Sequence, residues 1–490
     1  RLKWPCRTAD TAGMDQLRLA SPSALVPPHA TLKMSELIGA LSRALDITEG
    51  QPAGHCVRSC WIGMHIGMEM GLSKRALWEL YYTLLLKDLG CSSNAARICE
   101  LYLTDDRRFK QDFKTVGDSL PQMLRFVFSH TGLHAGLSQR LGSLVNILRN
   151  GPEIATELIQ TRCTRGADIA RQLRFSEGVA EGIAGLDEHW NGKGKPQGLR
   201  GEHIPLYSRI ALLAQVVDVF NATGGPAGAL AEVLHRSGNW FDPALVRTFL
   251  TVGKRAEFWE TLASPSIDLA MQRLEPGEHE VALDDDYLDD IAEAFGQVVD
   301  SKSPYTSGHS LRVAQYTERI AGQLGLPRGR VRWLRRGALL HDVGKLGVSN
   351  TVLDKPGKLD KQEWEAVKLH ATYTQDILSR IEAFAELGRL SAAHHERLDG
   401  KGYPLGLRGD QITIETRIIT TADIFDAISA ERPYRGAVPI PRTLEMMAES
   451  LGSAIDPLCF EALTLVLREE GLVAAADAQE AVGCRIGVGL

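Results

Sequence analysis

The feature that most constrains the fold is an internal repeat. The motif Gly54-His55-Cys56-Val57-Arg58 recurs as Gly308-His309-Ser310-Leu311-Arg312, and Lys87-Asp88-Leu89-Gly90 recurs at the same offset as His341-Asp342-Val343-Gly344. Self-similarity over so long a period indicates two copies of one structural unit. The glycine-rich loop at 191–196 recurs at 399–404 with a shorter offset, so the first copy contains an insertion, which we place at 91–160.

Apolar residues recur at helical spacing, as in Leu37, Leu41 and Leu45. The sequence therefore predicts an all-α protein of two tandem helical modules, and 490 residues are enough for each to bury a core. The predicted organisation is a flexible lead-in at 1–31, a first module at 32–252, a linker with room for a connecting helix at 253–287, a second module at 288–472 and a tail at 473–490.

The second module carries candidate metal ligands. His341 shares one helix face with Leu334 and Ala338, and Asp342 follows it directly. A carboxylate buried beside an imidazole is costly unless something compensates it, and a divalent metal would do so. A core histidine beside a helix-end aspartate is the plainer interpretation. Further candidate ligands in the same module favour the metal, and they are His309, His370, His394, His395 and Asp423.

Imidazole and carboxylate ligands suit iron, manganese, zinc or nickel. Five or six such ligands are too many for one tetrahedral zinc. They fit two divalent ions that share a bridging carboxylate, for which Asp342 is the natural choice. Such a site suits phosphodiester hydrolysis. Lys345, Arg432 and Arg435 follow the ligands closely and can hold phosphate, and Tyr403 offers a stacking face.

These motifs together resemble the HD-GYP phosphodiesterases, a branch of the HD-domain metal-dependent phosphohydrolases. The resemblance covers about 300–470 and includes the run Asp399-Gly400-Lys401-Gly402-Tyr403-Pro404. It implies an all-helical HD domain with two or three metals that hydrolyses cyclic di-GMP to pGpG or GMP. The implied ligands are His341, Asp342, His370, His394, His395 and Asp423, with His309 a less certain one. Asp342 and Lys345 are the implied catalytic residues, and Lys345, Arg432 and Arg435 are implied to hold phosphate.

Two positions depart from the family pattern. Three-metal members have a glutamate where this chain has Tyr305, which argues against a third metal and weakens the case for His309. Ala371 and Thr374 replace the proline and glycine that often follow the third ligand motif. Neither change removes a ligand.

The first copy lacks most of these ligands. His55 and Asp88 persist, but the other ligand positions hold Lys87, Arg162, Leu186, Asp187 and Gln215, and Lys195 replaces the tyrosine. We expect a degenerate, metal-free HD-GYP-like module. It is either regulatory or dimer-forming, with an anion or nucleotide pocket around Lys87 and Arg162, or a structural partner without a ligand.

Composition narrows the remaining classes. A net charge of −6 indicates neither a nucleic-acid polymer nor an anionic membrane as partner. The eight cysteines form no CxxC motif, there is no spanning apolar run, and no signal-peptide core is visible, so we expect a cytoplasmic, bacterial signalling protein. Three alternatives remain open: a catalytically weak cyclic-dinucleotide sensor, a protein-interaction module, and a phosphohydrolase for another nucleotide. A homodimer or a signalling protein as partner also remains open.

Overall fold

The computed structural model describes residues 33–117, 119–133, 135–277, 283–431 and 436–473. Within these ranges the regular elements are helices and no β-strand occurs, so the all-α prediction is confirmed. None of the described helices combines the length and the apolar character that crossing a bilayer requires.

The helices follow one another in a similar order in the two halves of the chain. Those of the first half are α1 Met34–Thr48, α2 His55–Glu69, α3 Lys74–Leu86, α4 Ala95–Tyr102, α5 Asp106–Phe113, α6 Leu120–His130, α7 Leu137–Gln172, α8 Glu177–Ala184, α9 Leu206–His235, α10 Pro243–Val252, α11 Ala256–Leu262 and α12 Ile267–Gln272. Those of the second half are α13 Asp285–Asp300, α14 His309–Gln323, α15 Arg328–Leu340, α16 Asn350–Leu353, α17 Lys361–Leu378, α18 Ala385–Ala392, α19 Ile414–Ser429, α20 Ile440–Ala448 and α21 Pro457–Glu469. Short 3₁₀ turns lie at 91–94 and 343–347.

The same local devices shape both copies. A glycine with positive φ, Gly54 or Gly308, precedes the helix that begins with a histidine. A buried carboxylate near the end of the preceding helix then accepts a hydrogen bond from a backbone N–H in the first turn of the histidine helix. Asp46 accepts from the N–H of Cys56 at 2.7 Å, and Asp300 accepts from the N–H of Ser310 at 3.1 Å. These bonds satisfy helix N–H groups that have no partner within the helix.

The glycine-rich loops are also held alike. Glu396 is buried and accepts from the backbone N–H groups of residues 405–407 at 2.6–3.1 Å. Glu188 does the same for residues 197–199 at 2.7–3.1 Å. One carboxylate thus sets the course of each loop, including the loop that carries Tyr403.

The first helix of each copy also packs on the other copy. Helix α1 packs on α2 and α3, and it also contacts the turn at 343–347 and α17. Helix α13 packs on α14 and α15, and it also contacts the turn at 91–94 and α7. A single apolar core therefore runs through both copies, from Met34 to Val473.

The insertion of the first copy is helical. Helices α4 to α7 enclose a separate small core that includes Leu101, Phe109, Phe126 and Ile154. Helix α7 is 36 residues long, and its N-terminal part lies in the insertion. The segment 253–287, predicted as a linker, carries α11 and α12, whose apolar residues pack into the first copy.

Helix α21 offers a matched test of this packing. Leu463 is completely buried, whereas Leu465 is 40% exposed. We expect Leu463→Ala to lower the free energy of unfolding by about 2–5 kcal/mol, because it leaves a cavity in the shared core. Leu465→Ala should cost less than about 1 kcal/mol in the same urea titration. Equal losses in the two variants would contradict the assigned face of α21.

Candidate metal centre

The structure brings all seven predicted ligand side chains of the second copy together. His309 begins α14, and His341 and Asp342 follow the end of α15. His370 lies in α17 and Asp423 in α19, while His394 and His395 come just after α18 rather than within it. Six of these residues are buried, and His395 is half-buried.

The carboxylate of Asp342 lies at the centre of this cluster. Its Oδ2 atom is 3.5 Å from His309 Nε2 and 3.2 Å from His341 Nε2. Its Oδ1 atom is 3.6 Å from His370 Nε2 and 3.7 Å from His394 Nε2. The two oxygens of one carboxylate therefore face two different pairs of imidazoles.

The remaining two candidate ligands, Asp423 and His395, each lie near a different pair of imidazoles. Asp423 Oδ1 lies 3.4 Å from His309 Nε2 and 3.8 Å from His341 Nε2. His395 joins Asp342, His370 and His394 in a set whose ligand atoms all lie within 4.8 Å of one another. Two groups of ligand atoms therefore share Asp342, and a third set, made of His341, His394 and Asp423, connects them.

Hydrogen bonds behind the rings orient four of the histidines. In His341, His370 and His394, Nδ1 lies 2.5–2.7 Å from the backbone carbonyl oxygen three residues earlier. In His309, Nδ1 lies 2.7 Å from Oδ2 of Asp426. Because these oxygens only accept, each Nδ1 donates a proton to its oxygen, and each Nε2 faces the cluster.

The atoms that face the interior of the cluster have no hydrogen-bond partner. They are Nε2 of His309, His341, His370 and His394, and Oδ1 of Asp342. Buried polar atoms are normally satisfied, so five such atoms converging on one point require an explanation. Nitrogen and carboxylate donors fixed from behind are what a transition-metal ion takes as ligands, and the cluster fits a metal site.

The histidines of the cluster differ in their pKa values. Burial opposes a charge on His341, yet the carboxylates of Asp342 and Asp423 raise its pKa to about 9. Burial lowers the pKa of His370 to about 4 and that of His395 to about 3, so both rings are neutral near pH 7. Neutral imidazole is the form that ligates a metal. Burial also opposes a charge on His309, yet the carboxylates around it raise its pKa well above the usual value. His309 and His341 therefore hold protons at the position where a metal cation would neutralise the carboxylates instead.

The predicted substrate-binding residues are placed in part. Lys345 forms an ion pair with Asp342. The ring of Tyr403 lies 4.8 Å from that of His395, and Trp364 packs edge-on against Tyr403 at 5.9 Å. Arg432 and Arg435 lie outside the described residues.

A cavity of about 230 Å³ adjoins the cluster on the side of His309. Residues that line it include Lys302, Tyr305, Thr306, His309, Asp342 and Lys345. Tyr305 is 38% exposed there.

Sequence reasoning missed Lys302, Trp364 and Asp426 as parts of this region. For Asp426 a signal existed, because Asp218 occupies the corresponding position of the repeat and holds Nδ1 of His55 in the same way, at 2.7 Å.

In the first copy, cations take the place of the missing ligands. Lys87 is buried in an ion pair with Asp88. Lys114 Nζ lies 2.9 Å and Lys110 Nζ 3.7 Å from the Glu49 carboxylate. Burial alone would raise the pKa of Glu49, but these two ammonium groups lower it to about 2.

Arg162 completes this neutralisation through an ion pair with Asp187. Both lysines beside Glu49 come from the inserted helix α5 and its end. The insertion therefore supplies positive charge to the degenerate site.

Comparison with known proteins identifies the class. The HD-domain family model matches residues 130–245 and 293–458. The chain thus belongs to the HD-domain family, and the resemblance to the HD-GYP branch is confirmed.

Particular relatives are close in both sequence and structure. The chain is 57% identical to the 3'3'-cGAMP-specific phosphodiesterase 3 of Vibrio cholerae, over 89% of this chain and 95% of the relative. A crystal structure of a V. cholerae cyclic GMP-AMP-specific phosphodiesterase matches with a TM-score of 0.62 at 51% identity, over 89% of this chain and 98% of the other. A cyclic di-GMP phosphodiesterase response regulator of Xanthomonas campestris is 38% identical, over 34% of this chain and 45% of its own length.

The buried ion pair between Lys87 and Asp88 allows a direct test of whether a lysine neutralises the aspartate of the first copy. We expect Lys87→Met to lower the free energy of unfolding by about 3–5 kcal/mol, because it strands the Asp88 carboxylate without its partner. Lys87→Met combined with Asp88→Asn should recover most of that loss in the same urea titration. The exposed Lys193→Met is the control and should change stability by less than about 0.5 kcal/mol. A double variant no more stable than Lys87→Met would refute the pairing argument.

Proposed function

We propose that the protein is a metal-dependent cyclic-dinucleotide phosphodiesterase whose active site is the histidine and aspartate cluster of the second copy. The observation that carries the proposal is the central position of Asp342, whose two oxygens face two separate pairs of imidazoles. That arrangement supports two divalent ions bridged by Asp342, with iron or manganese as suitable ions.

The ligand groups follow from the distances. One ion would be held by His309, His341, Asp342 and Asp423, as the distances between these four residues suggest. The other would be held by Asp342, His370, His394 and His395, and His394 also lies within reach of His341 and Asp423. This assignment restores His309 as a ligand, because Asp426 behind it fixes the ring as a carbonyl fixes the other three. A pair of divalent ions polarises a phosphoryl oxygen and lowers the pKa of bound water.

The remaining residues bind and orient the substrate. Lys345 lies beside Asp342 with its side chain 21% exposed, where its ammonium can meet a phosphate oxygen. The rings of Tyr403 and Trp364 form an aromatic surface next to His395, and Trp364 is 46% exposed. A nucleobase can stack on such a surface.

The substrate we propose is 3'3'-cGAMP rather than cyclic di-GMP. The sequence motifs alone favour cyclic di-GMP, since they are those of the HD-GYP family. The V. cholerae relative that matches 89% of this chain is specific for 3'3'-cGAMP, and the cyclic di-GMP phosphodiesterase of X. campestris matches 34% of it. Hydrolysis of one phosphodiester bond would yield a linear dinucleotide.

For the first copy we propose a metal-free supporting role. The ammonium of Lys87 pairs with Asp88, the counterpart of the bridging Asp342, and Arg162 pairs with Asp187. Carboxylates that are already paired in this way have no net charge left for a divalent ion to neutralise.

Metal analysis tests the site independently of any substrate. Protein purified without oxygen should contain about two transition-metal ions per chain, as a site for two-metal catalysis requires. Asp342→Ala should lose both, because it removes the bridging ligand. Asp410→Ala, which changes an exposed aspartate outside the cluster, should retain them. Retention of both ions by Asp342→Ala would contradict the bridged arrangement.

Turnover tests the function. We expect linear product from 3'3'-cGAMP, with a higher kcat/KM than for cyclic di-GMP. Asp342→Ala should lower kcat by about a thousandfold or more, since losing the metal forfeits several kcal/mol of charge stabilisation. A protein that binds metal but cleaves neither dinucleotide would point to another phosphate ester. A protein that binds cyclic dinucleotide without metal or product would be a sensor.

A further inference from the structure

Helix α5 of the first copy reaches into the second copy. Its first residue, Asp106, is completely buried. Oδ2 of Asp106 lies 3.2 Å from Nζ of Lys302, and its Oδ1 accepts from the N–H of Asn350 at 3.0 Å. Both partners belong to the second copy.

These two partners border the proposed active site. Lys302 lines the 230 Å³ cavity together with His309 and Lys345. Asn350 begins α16, shortly after the turn at 343–347 that carries Lys345. The side chain of Asn350 also donates to the carbonyl oxygen of Lys302 at 2.7 Å. Asp106 therefore contacts two segments of the cavity wall that are themselves linked.

Arg107 binds the turn at 343–347, which carries Lys345. Its Nη1 donates to the carbonyl oxygen of Gly347 at 2.6 Å, and its Nε donates to that of Ile47 at 3.1 Å. Ile47 is near the end of α1, which packs on this turn. Two neighbouring side chains of the first copy thus contact the segment that positions Lys345.

Charge makes the contact with Asp106 necessary. Lys302 is only 1% exposed, and a buried ammonium is costly unless an anion pairs with it. The anion comes from the insertion of the first copy. At the corresponding position the first copy has Thr48, whose hydroxyl donates to Ala44 within its own helix. The requirement for a partner in the other copy is therefore specific to the catalytic half.

The opposite end of α5 is anchored in the degenerate site. Lys110 Nζ donates to the carbonyl oxygen of Cys91 at 2.6 Å and lies beside Glu49, as does Lys114. The charges that fill the degenerate site thus also fix the helix that carries Asp106 and Arg107.

We propose that Asp106 and Arg107 are positioning residues of the active site in the second copy. They act through Lys302 and through the turn that carries Lys345, so the active site is complete only with the insertion of the first copy in place. This inference rests on the proposed function for its kinetic consequences, but the contacts themselves can be tested without a substrate.

Hydrogen exchange tests the contacts on the full chain. In Asp106→Asn we expect the amides of the segment 345–350 to exchange about tenfold to a hundredfold faster, as expected when a hydrogen bond to a charged group is lost. Asp112→Asn makes the same change on α5 at an aspartate 41% exposed, whose partners Arg108 and His130 lie within the first copy, and should leave that segment unchanged. Unaltered exchange in Asp106→Asn would overturn the proposal, whatever the substrate proves to be.

Kinetics distinguish positioning from a general loss of stability. Asp106→Asn should lower kcat/KM by about tenfold or more at a temperature where the variant is fully folded, and Asp106→Glu should recover part of it. Combined with Lys345→Met, Asp106→Asn should add little to the loss caused by Lys345→Met alone, since coupled residues are not additive. Additive losses would refute action through Lys345.

Arg107→Ala provides a second variant if Asp106→Asn does not fold. Faster exchange at 345–350 with lower kcat/KM would support the proposal, and wild-type values for both would overturn it. If the wild-type protein shows no turnover but both variants exchange faster at 345–350, the proposed function is refuted. The contact of Asp106 and Arg107 with that segment is then still supported.

Discussion

The buried carboxylate of Asp342 is the interaction on which the rest of the second copy depends. Its two oxygens each face a pair of imidazole nitrogens, and the elements around it are arranged to bring those nitrogens in. Three of the rings are fixed by a carbonyl of their own segment, and the fourth is fixed by Asp426 from α19. An arrangement that leaves five buried ligand atoms unsatisfied is stable only if something binds them, and the cluster fits a metal site.

The first copy shows how the same scaffold persists when that need is removed. It keeps the buried aspartate before the first histidine helix, the aspartate behind His55, and the glutamate that holds the glycine-rich loop. It exchanges the metal ligands for Lys87 and Arg162, which pair with the remaining carboxylates. Protein cations can balance buried charge, but they supply no Lewis acid. The copy therefore keeps the fold without the proposed chemistry, and its insertion contacts its neighbour.

The shared core makes the two copies one structural unit. Helices α1 and α13 each pack on both copies, so neither copy buries its apolar surface alone. The contacts of Asp106 and Arg107 add polar links across the same boundary, close to the proposed active site. A tandem duplication in one chain allows its copies to diverge separately. One has retained the candidate ligands, and the other carries an insertion, absent from its partner, that contacts the second copy.

The sequence by itself determined the helical class, the repeat, and which residues of the second copy are candidate ligands, because periodicity and spaced motifs are local properties of the chain. The seven candidate ligands lie together in the structure, and the repeat already placed Lys87 and Arg162 at ligand positions of the first copy. Only the tertiary structure decided that Asp342 divides the cluster, that α5 places Lys110 and Lys114 beside Glu49, and that Asp106 pairs with Lys302. These contacts join residues far apart in sequence, and the helices of the insertion have no counterpart in the repeat. Their partners depend on how the helices pack, which spacing along the chain does not encode.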